Sequence, residues 1–496
     1  MEAQRHQPDY VLFFTILLLC AVGVVTIFSA SMPAALHYSA SHPKTPIPAD
    51  NMAVRQLLAA GMGLVILTIL MHWIHYEYWY RRAVLLLLVN FALLTLVLIP
   101  GIGHVSGGSR RWFGSGSFHI QPSEIAIVLS VIYLAYFFTR KVVVLDDFRL
   151  GLRPALIVIG IEVLLVFMEP DMGTALTLLA TSLTVVFASG VRLRRLFILG
   201  AIMLPVMVAA AFLSSYRSDR MSAWLHPFAD KGNTGYQLLQ GWTAMASGGW
   251  FGRGFGMGIA QTGYLPVPQA DFIYPVFVEE WGFVGGATLL VIFGVLAWRG
   301  FLIARKAPNR FSALVAVGLT SMIVIKAVIN LGAVTGLLPV TGVPLPFISY
   351  GGTSLVVNLT AMGILLNISR YTLDVEPEAD QLADVIAVDE VRAERAQAKP
   401  SLERTTPAFS AGYPGGFRKQ PSRNNVTQLR PKRLRGETPR RESWRSRQET
   451  AASLSRRERE RGPREPVIVS WRERNRSQSD PTKSRKGKKP SRRDRD

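Results

Sequence analysis

"QADFIYPVFVEEWGFVGGATLLVIFGVLAW" (269–298) sets one aspartate, Asp271, at the mouth of a long apolar run and two glutamates, Glu279 and Glu280, inside it. The run is long enough to cross a hydrocarbon core about 30 Å thick as one helix. Carboxylates at that depth are costly and normally face a protein interior with partners. The stretch therefore predicts a helix in a membrane bundle, with Asp271 at its border as an N-cap. Glu279 and Glu280 lie roughly 12 to 13 Å deeper at 1.5 Å per residue. That is too far from Asp271 for the carboxylate pairs of glycosidases, which stand about 5 to 9.5 Å apart.

Nine more apolar blocks surround it, at about 11–30, 53–71, 83–100, 123–139, 154–168, 174–190, 196–214, 312–333 and 354–371. The expected fold is an all-α integral membrane domain of about ten transmembrane helices over 1–371, with a large ordered outer loop at 215–271. Only Arg5 precedes the first block, with acids flanking it, so the block reads as a retained helix rather than a cleaved signal peptide. Basic residues fix the orientation. With the N-terminus inside, Arg81, Arg82, Arg140, Lys141, Arg192, Arg194, Arg195, Arg299, Arg305 and Lys306 fall on inner loops. The short outer loops "MEPDMG" (168–173) and "GLLPVTGVPLPFISYGG" (336–352) carry no Lys or Arg, so both termini are expected in the cytoplasm.

The net charge of +21 divides into +9 for 1–371 and +12 for 372–496. The tail is acidic at 374–390 and basic beyond, with few apolar residues to bury, which predicts disorder. Such a tail suits anionic lipid or a partner, and nucleic acid only without specificity. Cys20 is the one cysteine, which rules out an internal disulfide and a cysteine metal site. "HWIHYE" (72–77) has metal-like spacing but lies among aromatics at an inner border, where anchoring is the better reading.

On the outer side stand Arg110, Arg111, Arg217, Arg220, Lys231 and Arg253, against the usual charge bias. An anionic ligand would account for them, since guanidinium matches phosphate oxygens, and so would pairing with acids such as Asp219 and Asp230. "GGWFGRGFGMG" (248–258) either lets backbone amides reach a phosphate or lets the loop pack closely, and packing is the preferred reading. Lys326 in "MIVIKAVIN" is the basic group deep in a late helix. It should pair with a carboxylate, Glu124 first, with Glu162, Glu279 and Glu280 as rivals.

In order along the chain, "GGSRRW" (107–112), "QPSE" (121–124), "EPDMGTA" (169–175), "YRSDRMSAWLHPFAD" (216–230), "GYQLLQ" (235–240), "ASGGWFGRGFG" (246–256), "YLP" (264–266), "DFIYPVFVEEWGFVGG" (271–286) and "GLLPVTGVPLPFISYGGTS" (336–354) resemble the SEDS family of shape, elongation, division and sporulation proteins. "SAS" (29–31) and "LPVTGVPLPFISYGG" (338–352) look more like its FtsW branch than its RodA branch. The resemblance implies a peptidoglycan glycosyltransferase that polymerises lipid II at the outer face of the bacterial cytoplasmic membrane during division. It implies a class B penicillin-binding transpeptidase and other divisome proteins as partners. It also implies Asp271 as the essential aspartate, and a pyrophosphate site where a divalent cation, Mg or Mn, is conceivable.

Besides the six basic residues, the matched motifs carry over Trp112, Gln121, Ser123, Glu124, Asp171, Tyr236, Gln237 and Gln240 as substrate-binding candidates. The chain departs from the family at Ile127, where a lysine is common, a charge Lys326 could supply from another helix. It departs also at Val267, Gln269 and Ala270, where Glu, His and Thr are frequent, and at Glu169, which replaces a frequent glutamine. A lipid II flippase is the rival reading and a division scaffold a third.

Overall fold

Hydropathy decides this architecture, because a buried main chain in lipid has no water to satisfy it and closes its hydrogen bonds within helices. The computed structural model describes residues 6–42, 48–106, 109–114, 119–141, 148–192, 194–195, 201, 215–229 and 235–372. The expected block at 196–214, residue 201 apart, and the tail from 373 lie outside the described residues, as does Lys231.

The helices are α1 (Tyr10–Ser41), α2 (Asn51–Trp73), α3 (Glu77–Leu98), α4 (Pro122–Arg140), α5 (Arg153–Met168), α6 (Met172–Ala188), α7 (Ser215–Leu225), α8 (Tyr236–Ser247), α9 (Ile273–Arg305), α10 (Arg310–Val334) and α11 (Gly352–Ser369). Among the described residues eight are long and apolar enough to cross a membrane, and α6 is a shorter apolar helix. The expected all-α membrane fold is what the chain forms. Its exception is a small hairpin, β1 (His104–Ser106) against β2 (Ser109–Trp112), with Val105 opposite Arg110 and Ser106 opposite Ser109.

α4, α10 and α11 form the inner part of the bundle, with most of their residues buried, whereas only about a third of the residues of α2, α3, α5 and α9 are buried. α11 lies against α2, α3 against α4, and α10 between α9, α6 and α4. At one end of the bundle the backbone N–H of His6 donates to the Arg370 carbonyl at 2.9 Å, and Arg299 pairs with Asp9 at 2.5 Å. The start of α1 and the end of α11 thus share a face. There, His72 meets Arg370 at 2.9 Å, while the His75 ring packs on Tyr76 and Tyr371. "HWIHYE" is therefore spent on anchoring contacts.

α9 is broken by its own sequence. Gly282 adopts φ 71°, a left-handed conformation that suits glycine, and separates a short N-terminal part of the helix from the long C-terminal one. The glycine-rich loop lies in that break. Arg253 and Gly254 donate backbone N–H groups to Glu279 and Glu280 carbonyls, while Phe283 and Val284 donate to Gly249 and Trp250. A Cβ on Gly252 would come within 2.0 Å of the Glu280 carbonyl oxygen, so the spacing of "GGWFGRG" serves packing.

Candidate active site

Asp171 organises one wall. It precedes α6 and accepts the Thr174 backbone N–H at 3.0 Å, a cap that satisfies one of the open amides of a helix start. Its second oxygen accepts the Gln121 amide at 2.7 Å and lies 3.3 Å from the Arg111 guanidinium. The hairpin presents Arg111 and, beside it, Trp112, over whose ring the guanidinium lies at 5.8 Å. Neighbouring Arg110 points elsewhere and donates to the Leu98 carbonyl at 3.3 Å, bracing the hairpin on the end of α3.

Arg111, Asp171, Arg220, Thr341 and Gly342 line an open pocket. Arg220 comes from α7 and donates to the Val340 carbonyl at 3.1 Å. A Cβ placed on Gly342 would stand 3.3 Å from the Arg220 guanidinium and 3.9 Å from Asp271 Oδ2. Gly342, at φ 75°, is thus a point on which cation and carboxylate converge, and a side chain there would crowd the Arg220 guanidinium.

Asp271 is half-buried at the entrance to α9. The expectation that it caps the helix needs correction: Phe272 occupies the cap position, and no side chain caps this helix. The carboxylate is left for another use. Burial raises its pKa above the ordinary aspartate value, and the Arg220 charge and its own backbone N–H oppose that rise.

Behind Asp171 lies Glu169, fully buried, with the Ser123 hydroxyl near its carboxylate. Burial lifts its pKa to about 8, helped by the Asp171 charge and opposed by Ser123 and Arg111. The folded chain therefore holds this proton where an unfolded glutamate would already have released it. Stability that rests on the proton is present in full below the unfolded value and falls as pH rises toward 8. Replacing Glu169→Gln should leave thermal stability unchanged near pH 4. Above that the variant should gain on the parent by at most about 1.4 kcal/mol per pH unit, up to about pH 8. Melting curves of both proteins across that range check this.

The remaining candidates lie apart from the pocket or behind it. Lys326 Nζ pairs with Glu124 and donates to Asn358 at 3.0 Å, with the Ser354 hydroxyl 3.3 Å from the same glutamate. Glu162 takes neutral donors, Asn90 at 2.8 Å and Ser130 at 2.5 Å. Glu279 and Glu280 do not meet Lys326. Glu279 accepts the backbone N–H groups of Ile259 and Ala260, and Glu280 those of Gly256 and the Ser29 hydroxyl. Their role is to hold the glycine-rich loop. Arg253 stays with them, 3.8 Å from Glu279, and out of the pocket. Gln121 and Ser123 are buried behind Asp171. Tyr236, Gln237 and Gln240 are half-buried on α8, with Gln237 reaching the Pro266 carbonyl at 3.4 Å. The side chain of Arg217 lies outside the described residues.

Two residues absent from the sequence reading anchor the segment that follows the pocket's Gly342. Gln56 on α2 donates to the Ser349 carbonyl at 3.2 Å, and Asn330 on α10 donates to the carbonyls of Asp271 and Val343, both at 2.8 Å. The signal for each was a lone amide in an apolar helix, which lipid would not tolerate without partners.

Residues 10–374 match the profile of the FtsW/RodA/SpoVE family, described as cell cycle proteins. The chain is 40% identical to stage V sporulation protein E of Bacillus subtilis over 373 residues, 75% of this chain and 100% of that protein. It is 36% identical to a probable peptidoglycan glycosyltransferase FtsW of Geobacter over 361 residues, 73% and 96% of the two chains. Among solved structures, one described as the structural coordination of polymerization and crosslinking by a peptidoglycan synthase complex matches with TM-score 0.59. That match has 30% identity and covers 73% of this chain and 98% of the other. The crystal structure of Thermus thermophilus rod shape determining protein RodA matches with TM-score 0.54 and 28% identity, over 74% and 98%. With the profile spanning the whole described bundle and relatives aligned nearly end to end, this chain belongs to the FtsW/RodA/SpoVE family of cell cycle proteins.

Proposed function

We propose that the protein polymerises lipid II, the undecaprenyl-pyrophosphate-linked disaccharide pentapeptide, into β-1,4-linked glycan at the outer face of the cytoplasmic membrane during division. The observation that carries the reading is the convergence of Asp271 and Arg220 on Gly342, beside a pocket lined by Gly342, Arg220 and Arg111. Asp271 removes the proton of the acceptor GlcNAc 4-hydroxyl as that oxygen attacks the anomeric carbon of the chain-end MurNAc. The glycosidic bond to the pyrophosphate breaks, the anomeric centre inverts, and undecaprenyl pyrophosphate departs as an anion.

A hydroxyl is a poor nucleophile until a base takes its proton in the transition state. The pyrophosphate leaves as a stabilised anion, so the leaving group needs positive charge rather than a second carboxylic acid. Arg220 and Arg111 are placed to supply it in a site partly shielded from water. Among the described residues no three His, Cys, Asp or Glu side chains converge as a protein cage for a divalent cation. No step here is routed through one.

Both termini face the cytoplasm in this reading, and a class B penicillin-binding transpeptidase crosslinks the strands that the chain makes. The deciding measurement is glycan synthesis from labelled lipid II by the purified protein, with and without its transpeptidase partner. Polymer supports the reading; movement of lipid II across liposomes without polymer would make the protein a flippase instead.

A further inference from the structure

Asn330 is buried to 1% exposure near the outer end of α10, one helical turn beyond Lys326. Its amide nitrogen donates twice, to the carbonyl of Asp271 and to that of Val343. Two carbonyls can be served only by the –NH₂ end, which fixes the amide's orientation. Its own Oδ1 is then left buried without a hydrogen-bond partner. A residue kept in that state at membrane depth is kept for its two donors.

The two carbonyls belong to segments far apart in sequence. One is the residue whose carboxylate is the proposed base; the other directly follows Gly342, where that carboxylate and Arg220 converge. The Gln269 carbonyl accepts from the Tyr350 backbone N–H at 2.8 Å, a second tie between the same two segments. The Tyr350 bond holds the chain two residues before Asp271, whereas the Asn330 amide holds the Asp271 and Val343 carbonyls themselves.

We infer that Asn330 is a positioning residue for glycosyl transfer, its amide clamping the Asp271 backbone to the 341–343 segment so that carboxylate and guanidinium keep their relative placement. This rests on the reading of Asp271 as base. Misplacement of a reacting group by about 1 Å can cost on the order of 100-fold in rate, whereas ligand contacts elsewhere in a cavity are untouched by it.

The test uses the full-length protein in lipid nanodiscs with labelled lipid II, measuring initial polymerisation rate, lipid II affinity and pH–rate profile. Asn330→Ala should lower kcat about 10- to 100-fold and change the affinity for lipid II less than about threefold. Asn330→Ser, which keeps one donor, should fall between it and the parent. Asn330→Asp keeps the size but brings a second carboxyl group to the Asp271 backbone, and should move the acid limb of the rate profile to higher pH.

Parental kcat and an unmoved acid limb in variants that fold would overturn the inference. Loss of folding in all three would reduce Asn330 to a structural residue, and equally overturn it. Asp271→Asn, run in parallel, separates the two claims. If it stays active, the base assignment has failed; if it is inactive while the Asn330 variants match the parent, only the clamp has.

Discussion

Asp271→Asn should abolish glycan synthesis while lipid II still binds. A positioned general base contributes about 10²- to 10⁴-fold, so turnover should fall by that factor. The substitution keeps the size of the side chain, and the hydrogen bond that Asn330 makes to this residue goes to its backbone carbonyl, so folding has no reason to suffer. Loss of turnover at unchanged binding is the signature of an interaction made only in the transition state. The pH dependence has a fixed sign. Burial raises the Asp271 pKa while Arg220 holds it down, so activity should fail as pH drops through a value above that of an ordinary aspartate. Arg220→Ala removes the opposing charge, and its acid limb should lie at higher pH still. Parental polymerisation by Asp271→Asn would end the enzymatic account built on this carboxylate.

The second large effect belongs to the membrane interior. Lys326 and Glu124 are 1% and 4% exposed, and they join α10 to α4. Removing one member of such a pair leaves an uncompensated charge and costs about 3–5 kcal/mol, far more than a surface ion pair returns. Lys326→Met and Glu124→Gln should each lower the unfolding temperature sharply. The double variant should recover most of the loss, because it buries no charge. Reversing the pair, Glu124→Lys with Lys326→Glu, should also recover part of it, with Asn358 and Ser354 remaining as polar neighbours. Thermal unfolding of the four proteins in the same detergent forms the thermodynamic cycle. A double variant no better than the worse single one would show that the two residues act separately.

The pair also shows where a linear reading stops. Ile127 stands one turn after Glu124 and offers it no charge, and only the packing of α10 on α4 shows which carboxylate Lys326 meets. Glu124 is the first choice in sequence and the one that Lys326 meets, but its three rivals are also carboxyl groups in or beside apolar stretches. What separates them is reach. Glu162 faces Asn90 and Ser130, and the other two face backbone amides of a loop that is itself 20 residues away along the chain.

Adjacent residues diverge in the same manner. Arg110 and Arg111 look equivalent in "GGSRRW", yet alternate residues of a strand point to opposite sides. One is spent on the Leu98 carbonyl and the other faces Asp171 in the pocket. Arg253 resembles Arg220 in charge, but the break at Gly282 draws it to Glu279.

By itself the sequence determined that this chain is a bundle of membrane-crossing helices and which family's motifs it carries. Hydropathy is summed over contiguous residues and the motifs are contiguous too, so neither depends on distant parts of the chain. Tertiary structure alone decided that Asp271 and Arg220 converge on Gly342, that Phe272 rather than Asp271 begins α9, and that Asn330 joins two remote segments. Hydrogen bonds need their partners within about 3 Å, and such proximity between helices is set by packing, which no short stretch of sequence contains.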